Sequence, residues 1–193
     1  MLSGQSLQML YNALVLPHLQ YCLMIWGDFK ESHNLTLGSS LLKLQKRLVG
    51  IIAGEFGKYH SDPLFARFSI LKVEDLYRQQ LRIHAWKFWN NKLPENQKGM
   101  LCRVSDVHRY STRLAGTGIS LGAQDHRCMS YKIPKEWESL PNTLREMLSI
   151  TGFKNKSKES FFGKYKEFRC TTRNCYICGL NNSGENRNVG LEL

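Results

Sequence analysis

Three cysteines, Cys170, Cys175 and Cys178, stand as C-x4-C-x2-C near the end of this 193-residue chain. Thiolates with a two-residue gap can reach one zinc ion from a tight turn. Structural zinc takes four protein ligands, and no Cys or His follows Cys178. A fourth would have to come from Cys102, His108, His126, Cys128 or another chain, and the alternative is that all are free thiols. With Cys22, the chain has six cysteines, three of them crowded into nine residues and the rest far apart. That distribution suits a reducing compartment better than a disulfide framework, so an intracellular location, nuclear or cytoplasmic, is expected.

The carboxylates point away from catalysis. Nucleotidyl transfer by two metal ions needs clustered acids, yet the five aspartates, Asp28, Asp62, Asp75, Asp106 and Asp125, are scattered with no adjacent pair. GxxxxGK[ST] and HExxH are also missing, so no enzymatic activity is expected of this chain alone.

Basic residues offer a different chemistry. Lys and Arg number 27 against 16 Asp and Glu, a formal charge of +11 that attracts polyanions, nucleic acid foremost. Arg78, Arg82, Trp86 and Trp89 recur at i, i+4, i+8 and i+11, a stripe of cations and indoles that could follow a nucleic-acid backbone. The competing reading sinks the tryptophans in the core and leaves the arginines in water. Lys43, Lys46 and Arg47 share a second helix face. A third excess, Lys154, Lys156, Lys158, Lys164, Lys166 and Arg169 against Glu159 and Glu167, lies further on. The candidate contacts are therefore Lys43, Lys46, Arg47, Arg78, Arg82, Trp86, Lys154 and Lys158.

Helices must position these groups. Leu7, Leu10, Tyr11, Leu14 and Val15 recur at helical spacing up to Pro17, which should kink or end that helix. A largely buried stretch is expected from Leu19 to Gly27. The first 27 residues carry no Asp, Glu, Lys or Arg, but Gln8, Asn12, Pro17, His18 and Gln20 argue against a membrane span there. A second helix is expected from Asn34 to Ala53 with Leu41, Leu44, Leu48 and Ile51 or Ile52 inward, stopped by Gly54. Asp62 and Pro63 should open a short helix, Asp62 as its cap. A third long helix is expected from Glu74 to Asn91. Arg103 to Ala123 reads as exposed, Met129 to Ile133 as a short strand, and Thr151 to Phe168 as a last amphipathic helix. The fold class is thus mainly α, a helical bundle over 1–94 followed by a smaller α-rich unit with at most one short strand pairing. A flexible basic connection over 95–127, a C-terminal unit over 128–180 and a disordered tail over 181–193 complete this division.

The order of these segments resembles a known family. LYNALVLPHLQYCLMIWG (Leu10 to Gly27), LLKLQKRLVGII (Leu41 to Ile52), HSDPLFARFSILKVEDLYRQQLRIHAWKFWNNKLP (His60 to Pro94), HRYSTR (His108 to Arg113) and KEWESLP (Lys135 to Pro141) resemble the C-terminal region of non-LTR (LINE-type) retrotransposon reverse transcriptases. FKNKSK and the cysteine cluster fit as well. In that family the catalytic palm lies upstream of the first of these segments. The resemblance implies thumb helices, which grip the backbone of a template–primer duplex of RNA or DNA, and implies no active site here. Gly50 departs from the pattern, standing where the family often has a basic residue. An alternative reading is an interaction module, or an inert element remnant, that self-associates through its apolar N-terminal helices.

Overall fold

The computed structural model describes residues 3–28, 35–55, 59–107, 118–120 and 128–167. The fold is mainly helical, with eleven α-helices among these residues and one two-stranded antiparallel ladder, the class expected from the periodicity. The chain divides into two compact units. One comprises the described residues up to Asp75 together with those from Glu159, and the other runs from Leu76 to Lys158.

The first unit begins with α1 (Gly4–Leu10), capped by the Ser3 hydroxyl on the Ser6 amide. A π-helical turn, Tyr11–Val15, leads into α2 (Leu16–Gln20) and α3 (Leu23–Trp26). Of the two outcomes expected at Pro17, a kink or an end, the chain does not end its helix there but passes through a π-helical turn just before it. A proline ring displaces the carbonyl four residues back, and the wider π turn just before α2 makes room for it. Burial here is sparse, with Tyr11 and Leu23 in the core but Met9, Leu10, Leu14, Tyr21 and Ile25 exposed. The expected burial of Leu19 to Gly27 is therefore only partial.

Helix α4 spans Leu35–Ala53. Its end is a Schellman stop: Gly54 has φ +74°, its amide donates to the Ile51 carbonyl, and the Glu55 amide donates to that of Gly50. The helix is rotated relative to the leucine stripe expected from the sequence. Gln45, Val49 and Ile52 are buried, whereas Leu44 and Ile51 are exposed. Gln45 is only 1% exposed, and its amide is fully engaged. Nε2 donates to Tyr11 Oη (2.8 Å) and to the Leu71 carbonyl (2.8 Å), and Oε1 accepts from the Val73 amide (2.9 Å). A buried amide with three good partners costs little to bury and is rotationally fixed. Gly50 assists, because a Cβ there would meet Tyr59 Oη at 1.9 Å; that hydroxyl donates to the Lys46 carbonyl. A basic side chain at position 50 would collide with Tyr59.

Helix α5 (Asp62–Arg67) starts at Asp62 and Pro63 as expected, but Asp62 is not its cap. Ser61 occupies that position, and the Asp62 carboxylate instead accepts from Lys72 Nζ at 2.8 Å. Lys72 Nζ also lies 4.6 Å from the centre of the Tyr165 ring. Tyr165 Oη donates to Asp75 and accepts from the Lys72 amide, and burial, with the Asp75 charge beside it, pushes its phenol far above the usual range.

The second unit contains most of α6 (Val73–Trp89), α7 (Glu95–Lys98), β1 (Cys102–Arg103), α8 (Val104–Val107), β2 (Ile119–Ser120), α9 (Met129–Glu138), α10 (Asn142–Arg145) and the start of α11 (Ile150–Glu167). Strands β1 and β2 pair Cys102 with Ser120 and Arg103 with Ile119. The strand expected over Met129 to Ile133 is helix instead. Ile133, Trp137, Leu140 and Leu144 are all buried, a helical spacing that outweighs Pro134 inside α9. The segment expected to be exposed, Arg103 to Ala123, supplies core residues: Val104 and Ile119 are buried, as are Leu101 just before it and Trp86 and Phe153, whose rings lie 6.1 Å apart. Among the described residues no helix is long and apolar enough to cross a membrane.

Replacing Gln45 with Leu should leave the Leu71 carbonyl and the Val73 amide without their side-chain partner. At about 1–3 kcal/mol per buried unsatisfied group, chemical denaturation should show a loss of roughly 2–6 kcal/mol. An unchanged midpoint would remove Gln45 as the pin of α4.

Candidate nucleic-acid interface

With Gln45 turned inward, the neighbouring residues of α4 are turned to water. Lys43, Lys46 and Arg47 are all exposed, as sequence reasoning placed them. With Ser40 and Leu44 they line a shallow open groove of about 610 Å³. Helix α4 has no Asp or Glu along its length, and among the described residues no carboxylate forms an ion pair with these three cations. The face is therefore a concentrated positive surface whose charges are free to meet an external anion.

Arg78 and Arg82 behave differently from the expected phosphate-binding stripe. Both converge on Glu136 of α9. Arg78 donates from Nε to Oε2 (3.2 Å) and from Nη2 to Oε1 (3.0 Å), a forked pair, and Arg82 Nε donates to Oε1 at 2.7 Å. Arg82 Nη1 also reaches Ser157 Oγ at 3.3 Å, and that hydroxyl in turn donates to Gln79 Oε1 at 2.9 Å. With Arg82 only 5% exposed, its guanidinium is a structural cation of the second unit rather than a surface contact. Arg78 keeps a third of its side chain in water but gives its fork to Glu136. Trp86 is likewise core: it is 3% exposed and its indole N–H donates to the Met147 carbonyl at 2.6 Å. The stripe is pulled inward because Glu136 supplies the countercharge that burial of an arginine demands.

On α11, Lys154 and Lys156 are exposed while Lys158 is half-buried. Burial lowers the Lys158 ammonium below its ordinary value, so it is a poorer fixed cation than its neighbours. A cation that sequence reasoning did not single out is Arg103. Its guanidinium lies 5.0 Å from the centre of the Trp89 ring and donates to the Trp89 carbonyl at 2.9 Å. Trp89 in turn packs 5.8 Å from Trp137. Only the tertiary return of β1 to the end of α6 reveals that contact.

Cys170, Cys175 and Cys178 lie outside the described residues, as do His108 and His126. Cys22, Cys102 and Cys128 are exposed free thiols. Among the described residues no three His, Cys, Asp or Glu side chains gather as a metal site. No protein-family model, curated protein or solved structure matches the chain.

The Glu136 junction generates a stability prediction. Glu136→Ala leaves the buried Arg82 without its countercharge and should cost about 3–5 kcal/mol, measured by urea unfolding. Arg78→Ala, at a more exposed position, should cost clearly less. Equal, small losses from both would contradict a buried charge centre at this position.

Proposed function

We propose that the chain binds nucleic acid without catalysing a reaction, and that it does so through the outer face of α4. One observation carries this reading: Lys43, Lys46 and Arg47 stand exposed on a single helix face that contains no acid. The contact is to phosphates, since three cations spread along one helix face neutralise a backbone and release its counterions. Lys43 and Arg47 are one helical turn apart, about 6 Å along the axis, so neighbouring phosphates of one strand come within reach of both. The exposed Lys154 and Lys156 add positive charge of the same kind.

The likeness of Leu41 to Ile52 and its flanking segments to the thumb region of LINE-type reverse transcriptases supports the same ligand, the backbone of a template–primer duplex. It also agrees with the scattered aspartates. In this reading Arg78, Arg82 and Trp86 shape the protein and leave the phosphate contacts to α4. That is a narrower assignment than the sequence suggested.

Fluorescence anisotropy of a labelled primer–template duplex, titrated across a salt series, tests the assignment. The triple substitution of Lys43, Lys46 and Arg47 to Ala should weaken binding and flatten the log–log salt slope by roughly 0.9 for each phosphate that is no longer neutralised. A slope that does not change, or a duplex that does not bind even at low salt, would overturn it.

A further inference from the structure

We infer that the same face of α4 is a docking seam for an acidic amphipathic helix of another polypeptide. Leu37, Leu44 and Ile51 recur at seven-residue intervals and are 44%, 55% and 49% exposed. Ser40 and Arg47 fall between them, so the five positions alternate by three and four along a line of about 21 Å. A stripe this narrow has the width of a helix–helix seam rather than of a core face. Leu44 lines the same shallow groove as Ser40, Lys43, Lys46 and Arg47. A phosphate backbone would use those cations but has no aliphatic surface to cover three exposed branched side chains. An amphipathic helix covers them all.

Charge selects the occupant. A second copy of this chain laid on the same face would set Lys43, Lys46 and Arg47 against their own kind, because α4 holds no acid to answer them. A partner with leucine-like residues on its seam and Glu or Asp along its flanks meets both features of the face. An anionic bilayer would satisfy the cations, but a stripe one side chain wide and half recessed offers little to insert among acyl chains. This inference goes beyond nucleic-acid binding and does not require it. Because the cations are shared, the two ligands compete.

The test uses the full chain and a designed 21-residue peptide, lactam-bridged into a helix, with Leu at its a and d positions and Glu at e and g. Binding is read by anisotropy against a scrambled peptide of the same composition, and vesicles of mixed neutral and anionic phospholipid form a further arm. The designed helix should bind saturably, and Leu44→Ser should weaken it about five- to tenfold, with Leu37→Ser as a second variant. Duplex affinity of both variants should stay unchanged, and unlabelled duplex should displace the peptide where it binds. Equal binding of the scrambled peptide, or an affinity that Leu44→Ser and Leu37→Ser leave untouched, would overturn the seam. So would vesicle binding that depends on Leu44 in the absence of peptide binding. If the peptide binds in this manner and no duplex does, the docking seam stands and the nucleic-acid reading alone falls.

Discussion

The side-chain amide of Gln45 donates to Tyr11 and to the Leu71 carbonyl and accepts from the Val73 amide, and those three bonds set the rotation of α4. A helix with leucines at 35, 37, 41, 42, 44 and 48 has enough apolar surface to be buried on more than one side. Apolar contacts are non-directional, so they alone do not choose among rotations. A buried amide does choose, because each alternative rotation strands hydrogen-bonding groups away from water. This choice in turn requires a glycine at 50, given how closely Tyr59 approaches it. Everything on the outer face follows from this inward anchor: the cations at 43, 46 and 47 and the aliphatic residues at 37, 44 and 51.

The second unit solves a related problem with charge. Two arginines on α6 share the Glu136 carboxylate, and Ser157 and Gln79 extend the hydrogen-bond network from the buried one. Such a centre adds orientation more than net stability, since burying ions costs nearly as much as pairing them returns. It positions α9 and α11 against α6 within the unit, where Trp86 and Trp137 then fill the core. Two arginines that could have served a ligand are consumed in shaping the protein, whereas α4 keeps three exposed cations on a helix that contains no acid.

Much of the helix order was legible because apolar residues repeat at three and four. The starts and ends of α4, α6 and α11 fall within a residue or two of their expected positions, and Gly54 stops α4 through the left-handed conformation its type allows. Facing was less legible. A glutamine scores as a solvent residue until its partners are known, and those of Gln45 lie 34 positions upstream in one case and 26 and 28 downstream in the others. The fate of Arg82 was hidden in the same way, since Glu136 lies 54 residues further along the chain. The error at Met129 to Ile133 was different in kind. Ile133, Trp137, Leu140 and Leu144 already displayed a helical period, but the short apolar run taken by itself has the look of a strand.

The most direct test of the α4 orientation is hydroxyl-radical footprinting of the free protein and of the protein with a primer–template duplex. In the free protein, Leu44 and Ile51 should oxidise readily while Val49 and Ile52 stay protected, and duplex should then shield Leu44 between its flanking cations. Oxidation of Val49 and Ile52 with protection of Leu44 and Ile51 in the free chain would mean that α4 is turned the other way. That result would contradict the inward glutamine and the outward cationic face together.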